Sequence, residues 1–350
     1  MVDPFKDIES FDRAGMLNLI SRFPEDIERA LELTENIEIE ETEIDNIIIS
    51  GMGGSAISGD IIQAWLRERS IYPIYVNRDY DLPGWAGRKT LAIFLSYSGN
   101  TEETISSFNF AIKRGCRCIS ISSGGRLEEE SRKRGIPHIK IPSGYQPRAA
   151  IAYLLFPCIR IFEELRIVEA GSEIRECVEV SREVREENGM NVELEKNPAK
   201  RIAKEIKDTL PNIYGWRHLV PVARRWRTQI NENSKMIARF DEVPECNHND
   251  VVGWTQRNEI SSLSSCILLR DRRYETRRIR ERFDYMKEIF EGAGARIVEV
   301  DSRGRSILAR IVSTLYIGDF VSCYLALLRH IDPTPVEVIA RLKERLSRIR

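Results

Sequence analysis

The chain has 350 residues, with 53 Lys and Arg against 54 Asp and Glu, and a formal net charge of -1. That balance gives no electrostatic reason to expect a nucleic-acid partner, and 42% hydrophobic residues can fill the cores of about two domains. No uninterrupted apolar run reaches the ~20 residues that span a bilayer, and the N-terminus MVDPFKDIES lacks the core of a signal peptide. A cytoplasmic protein with no membrane association is therefore expected. The 7 cysteines are odd in number and form no CxxC pair, which suits reduced thiols, and no Cys/His spacing fits a metal.

Residues 8–39 read as helices. The first strand is 46–50, an Ile-rich run ended by glycines, followed by a helix over 56–67. Strands at 71–77, 90–96, 117–123 and 138–142 then alternate with helices at 101–114 and 127–134. Strands apolar on both faces and separated by helices point to a parallel sheet in a doubly wound α/β domain. A buried helix over 147–165, kinked at Pro157, and a polar helix over 172–187 lead to a second half. There the strands are 212–216, 266–271 and 295–300, with helices at 220–235, 274–291 and 307–329. A last amphipathic helix, 335–348, follows Asp332-Pro333.

Two loops carry chemistry. Gly51-Met52-Gly53-Gly54-Ser55-Ala56 follows the first strand and fits G-x-G-x-x-A, a pattern that lets the backbone approach a phosphate or a sugar closely. An NAD site wants an acidic residue at the end of the second strand; Asn77 and Arg78 stand there, and Arg78 could suit a 2'-phosphate. Ser96-Tyr97-Ser98-Gly99-Asn100-Thr101 follows the third strand and opens a helix. Unpaired amides at a helix start, together with hydroxyl donors, favour one small phosphate. Plain capping, with Asn100 as cap and Glu103 at the third helical position, accounts for part of this loop but not for Ser96 and Ser98. A dinucleotide needs no second hydroxyl-rich loop, whereas a sugar phosphate uses one loop for the phosphate and one for the sugar.

Together the two loops resemble the sugar isomerase (SIS) domain. Pro147-Arg148-Ala149-Ala150, Asn231-Glu232-Asn233-Ser234-Lys235, Pro244-Glu245-Cys246-Asn247-His248-Asn249, and Asp332-Pro333 with Leu342-Lys343 follow in order. That set resembles the archaeal-type bifunctional phosphoglucose/phosphomannose isomerase family, over most of the chain. The resemblance implies two SIS-type doubly wound subdomains: residues 1–168 with a helical N-terminal extension, residues 169–331, and a C-terminal helix, 332–350, that contributes to the active site. It implies a homodimer, no metal and no cofactor. It implies interconversion of glucose 6-phosphate, and of mannose 6-phosphate, with fructose 6-phosphate through an enediolate.

By the same resemblance, Ser96, Ser98 and Thr101 would hold the phosphate, and Gly53, Gly54 and Ser55 would line the sugar. Glu232 would be the catalytic base, Arg148 would steady the intermediate, and His248, supplied by the neighbouring subunit, and Lys343 would help open the ring. Seven residues before the lysine, some relatives carry a threonine tied to action on mannose 6-phosphate; here Val336 stands there, with Thr334 nearby. The residue types suit these roles. A carboxylate moves protons, an arginine fork meets a developing oxyanion, and a histidine exchanges protons near neutral pH.

Taken singly, each has a bland explanation. Glu232 follows Arg224, Arg225 and Arg227 and suits a salt bridge; His248 suits a turn, Arg148 a helix start and Lys343 a solvated face. His138, His218 and His330 have no supporting motif and read as structural. Two other functions remain open: an NADP-dependent oxidoreductase, and a non-catalytic sugar-phosphate-binding SIS module.

Overall fold

The computed structural model describes Phe5, residues 8–35, Ile39 and residues 43–348. Part of the first helical stretch expected from sequence, 36–38, lies outside the described residues. Before it come α1 (Ile8–Phe11), α2 (Met16–Ser21) and α3 (Phe23–Glu32). The α3 side chains Phe23, Ile27 and Ala30 are buried at the spacing that aligns one helix face.

The first sheet holds β1 (Asn46–Ser50), β2 (Ile74–Asn77), β3 (Thr90–Leu95), β4 (Arg117–Ser122) and β5 (His138–Lys140), in the order β2-β1-β3-β4-β5. Every pairing is parallel. The helices between these strands are α4 (Gly53–Trp65), α5 (Glu102–Lys113) and α6 (Gly125–Lys133). The residues of β3 are buried throughout, because helices cover both faces of the sheet. The strand order reverses between β1 and β3. In open parallel sheets, ligands bind in the crevice beyond the carboxyl ends at such a reversal. Residues 51–56 and 96–101 are the two loops that border this crevice.

After β5 a 3-10 turn, Pro147–Ala149, precedes α7 (Ile151–Glu164), so the expected helix over 147–165 begins later, and its first residues are a separate turn. Next come α8 (Gly171–Asn188) and α9 (Pro198–Ile206). The second sheet, also fully parallel, holds β6 (Leu210–Trp216), β7 (Arg239–Val243), β8 (Ser264–Arg270) and β9 (Arg296–Asp301) in the order β7-β6-β8-β9. Its helices are α10 (Val220–Ser234), α11 (Glu259–Ser262), α12 (Arg277–Gly292) and α13 (Ile307–Leu328), and α14 (Glu337–Ser347) follows. The twofold occurrence of the α/β pattern expected from sequence is present. β7 was not expected, because RFDEV is an edge strand whose charged side chains face water.

α13 departs from expectation in another way. Its 22 residues are long and apolar enough to cross a bilayer by length and composition, yet the helix is wholly buried in the protein. Asp319 and Arg310 interrupt the apolar sequence and are paired inside the fold. One apolar cluster runs from Ile47 and Ile49 of β1 through α7 and α13 to Ile213 and Ile267 of the second sheet, so the two sheets share a core. All 7 cysteines are free and buried, and burial pushes the Cys118 and Cys246 thiols up to about 12.

Candidate active site

The first loop delivers α4 without a side-chain cap at Met52. Gly54 has no side chain to obstruct the turn that carries Arg148: a Cβ there would stand 3.3 Å from the Pro147 carbonyl oxygen and 3.5 Å from the Arg148 Cα. The glycine loop and the arginine turn are thus in van der Waals contact, although 94 residues separate Gly54 from Arg148 in the chain.

The second loop turns at Gly99, where φ is +67° and a Cβ would fall 1.7 Å from the Gly124 carbonyl oxygen. Only glycine fits both the left-handed backbone and that approach. Ser96 Oγ and Thr101 Oγ1 lie 2.9 Å apart across the loop. Ser98 Oγ accepts from the Asn100 amide at 3.2 Å. The expected Asn100 cap is absent. Thr101 occupies the cap position, no side chain bonds the first-turn amides of α5, and Asn100 Oδ1 instead accepts from the Arg126 amide at 3.0 Å. Tying Asn100 to α6 leaves the α5 amides open to an external acceptor.

Arg148 is 3% exposed and meets the second half of the chain. Its Nε donates to Asn233 Oδ1 at 2.6 Å, and its Nη2 donates to the carbonyls of Pro333 and Thr334 at 2.7 and 2.9 Å. Nη1 faces Glu232 Oε2 at 3.6 Å. The guanidinium is fixed by one nitrogen pair and presents its remaining edge to a carboxylate that keeps 29% side-chain exposure. Burial pulls the Arg148 pKa down, and Glu232 opposes that shift. Arginine stays charged regardless.

A buried ionic network sets this geometry. Arg225, 1% exposed, grips Asp319 with Nε at 3.0 Å and Nη2 at 2.7 Å, and Nη2 also donates to the Arg148 carbonyl at 2.8 Å. Gln229 Nε2 donates to Asp319 Oδ1 at 2.7 Å, and Asn233 Nδ2 donates to Ser322 Oγ at 2.9 Å. Arg225, Gln229 and Asn233 recur every fourth residue on α10, so one face of the helix meets α13 while Glu232 points past it. Lys235, in left-handed backbone just beyond α10, donates from Nζ to the carbonyls of Asp332 and Pro333 at 3.0 and 2.9 Å. Burial, with Arg148 nearby, draws the Lys235 pKa down. The sequence reading gave no role to Asn233, Lys235, Asp319 or Arg225. The sequence signal was present, because Asn233, Lys235 and Pro333 sit inside the quoted motifs.

Two predicted site residues lie away from this cluster within one chain. His248 is exposed in the turn after β7, beyond that strand's carboxyl end. Glu232 lies near the C-terminal end of α10, a 15-residue helix that begins beyond the carboxyl end of the adjacent β6. At 1.5 Å per residue, α10 carries Glu232 about 18 Å from its first residue, toward the opposite end of the second sheet. Lys343 is exposed on α14, roughly 9 Å along the helix axis from Glu337, and α14 has no buried residue. Val336 is the residue that opens α14.

The groups read as structural behave so. His138 Nδ1 meets Ser120 Oγ at 2.7 Å, His218 Nε2 meets Asp271 Oδ2 at 2.6 Å, and His330 packs on Phe11 at 4.8 Å. Arg78, the residue that suggested a 2'-phosphate, is ion-paired with the buried Asp60. Asn77 spends its amide on Ser50 Oγ and the Asp79 and Asp81 carbonyls.

Residues 42–132 match the family described as SIS domain, and residues 195–346 match the bacterial phospho-glucose isomerase C-terminal SIS domain. The bifunctional phosphoglucose/phosphomannose isomerase of Caldicellulosiruptor bescii is 40% identical over 339 residues, covering 96% of this chain and 100% of the relative. The chain belongs to the bifunctional phosphoglucose/phosphomannose isomerase family. The protein of that name from Aquifex aeolicus is 35% identical over 315 residues, with 90% of this chain and 94% of the relative covered. The architecture recurs at greater distance: the crystal structure of a hypothetical protein from Thermus thermophilus superposes with a TM-score of 0.72 at 14% identity, covering 95% of this chain and 91% of the other.

Proposed function

We infer that this member of the family is an aldose-ketose isomerase that interconverts glucose 6-phosphate, and mannose 6-phosphate, with fructose 6-phosphate through an enediolate. The observation that carries the reading is the Arg148–Glu232 pair, 3.6 Å apart, with Arg148 on a turn packed directly against the glycine loop. The phosphate docks on Ser96, Ser98, Thr101 and the open amides of α5. The sugar extends along Gly53, Gly54 and Ser55 toward Arg148. Glu232 transfers the proton between C2 and C1, and Arg148 Nη1 meets the oxyanion that develops as it leaves. A positioned base contributes about 10²–10⁴-fold, and a preorganised cation acts with little reorganisation because its other nitrogens are already bonded. Rotation of the enediolate before reprotonation gives epimerisation at C2, which the mannose substrate requires.

His248 acts from the partner subunit in this reading, because its own chain places it at the wrong end of the second sheet for Glu232. The exposed apolar side chains Val338, Ile339 and Leu342 of α14 support a homodimer. Lys343 then faces the ring oxygen from the same helix. The commitment of Arg78 to Asp60 and the presence of a carboxylate beside Arg148 favour an isomerase over an NADP enzyme or a binding module.

The test is a coupled assay on purified protein with EDTA present, using both aldose phosphates. Turnover of both by wild type, lost in Glu232→Gln, is expected. Absence of turnover in wild type would overturn the assignment.

A further inference from the structure

At the opposite end of the packed helices α4 and α10 from Arg148, a cleft of 940 Å³ opens between the two halves of the chain. Arg67, Arg217, Arg224, Arg278 and Arg282 line it, against the carboxylates Asp60, Glu242 and Glu245. Asp60 is already neutralised: it pairs with Arg78 and, at 3.1 Å, with Arg224. Arg217 reaches outward to Glu68 at 2.6 Å. Among the described residues, Arg282 donates only to the neutral Asn247 Oδ1, at 3.2 Å. Among the described residues, Arg67 and Arg278 form no ion pair. They stand on different walls, Arg67 just past α4 and Arg278 in the first turn of α12.

Backbone donors add to this charge. α12 starts in the cleft with Thr276 accepting from the Ile279 amide at 3.3 Å, which leaves the Arg277 and Arg278 amides open. The cleft is not the strand-reversal crevice of the second sheet. That crevice, between β6 and β8, is filled by protein: Asp271 is clamped by His218 at 2.6 Å and by Arg310 at 2.6 Å. The open volume instead lies on the β7 side, beside Trp216 and Val243. Along α10, about 18 Å separates Val220 in this cleft from Glu232.

We propose that this cleft is a second anion-binding site, separate from the loops at 51–56 and 96–101, that takes a small phosphorylated molecule bearing at least two anionic groups. Two groups are required because the uncommitted guanidiniums reach the cleft from different elements, and a single phosphate would leave one of them unmatched. Arginine forks suit phosphoryl oxygens, and the volume accommodates a ligand larger than a monophosphate. The proposal does not depend on the isomerase reading.

The experiment is calorimetric titration of inorganic pyrophosphate into the full-length protein at low salt, for wild type, Arg67→Gln/Arg278→Gln and Arg67→Lys/Arg278→Lys. Both arginines are exposed, so unchanged thermal melting is expected in each variant. Wild type should bind pyrophosphate at a site that weakens roughly tenfold or more in the Gln variant and recovers most of its affinity in the Lys variant, with aldose-phosphate turnover unaffected in both. Pyrophosphate held only at the 96–101 loop would bind the Gln variant as it binds wild type. That result, or no binding to wild type, would overturn the proposal.

Discussion

Replacing Asp319 by Asn tests how the fold positions Arg148. Asp319 is 3% exposed and, among the described residues, is the one anion paired with Arg225, itself 1% exposed, which in turn holds the Arg148 carbonyl at 2.8 Å. The substitution keeps the shape, removes the charge and turns one amide donor toward a guanidinium. Breaking one side of a buried pair costs about 3–5 kcal/mol, because the remaining charge stays buried without compensation. Unfolding entropy of about 2.1 cal/mol/K per residue gives roughly 0.7 kcal/mol/K for this chain, so the melting temperature should fall by about 4–7 °C. Scanning calorimetry reads that shift. Turnover should fall with kcat dropping more than KM rises, since the arginine turn loosens while the phosphate loop is untouched. Arg225→Met/Asp319→Leu should recover much of the stability, as apolar replacements of buried pairs often do, without restoring kcat. A melting temperature within about 1 °C of wild type in Asp319→Asn, with unchanged kcat, would refute the reasoning.

Gly99→Ala should raise KM for sugar phosphate by well over tenfold and destabilise the protein by about 1–2 kcal/mol or more, because the backbone is left-handed and the new Cβ meets the Gly124 carbonyl; steady-state kinetics and urea unfolding check this. His138 gives a pH signature. Burial lowers its pKa from 6.5, so the unfolded chain takes up the proton first; stability from this group is complete above about pH 7 and declines as pH falls through the window below 6.5. Urea midpoints should therefore drop between about pH 7 and 5, and drop less in His138→Gln. Mixing inactive Glu232→Gln and His248→Ala chains should restore about a quarter of wild-type activity after subunit exchange, since half the dimers are mixed and each mixed dimer has one complete shared site. No recovery despite demonstrated exchange would place His248 outside the shared site.

The alternation of apolar strands and helices made both sheets legible, because buried parallel strands leave a continuous hydrophobic imprint. β7 left none: an edge strand with one neighbour places Arg239, Asp241 and Glu242 toward water. The two ligand loops could be read from glycines and hydroxyls at strand ends. The capping detail could not, since Asn100 is drawn away by the Arg126 amide at the start of α6, a contact 26 residues away in the chain. Glu232 and Arg148 were visible as motif residues, but their approach depends on α10 packing against α13 through Arg225 and Asp319. Long-range pairing of that kind has no local sequence pattern. The separation of His248 from Glu232 followed only once strand order and helix direction were known.

The most direct test is exchange of the C2 proton of glucose 6-phosphate with deuterium oxide, followed by proton NMR. Wild type should incorporate deuterium at C2 of glucose 6-phosphate and at C1 of the fructose 6-phosphate it forms. Glu232→Gln should slow exchange and isomerisation together by about 10²–10⁴-fold, with the sugar phosphate still bound. Exchange at the wild-type rate in Glu232→Gln would contradict the assignment of Glu232 as the base and, with it, the account of the Arg148–Glu232 pair.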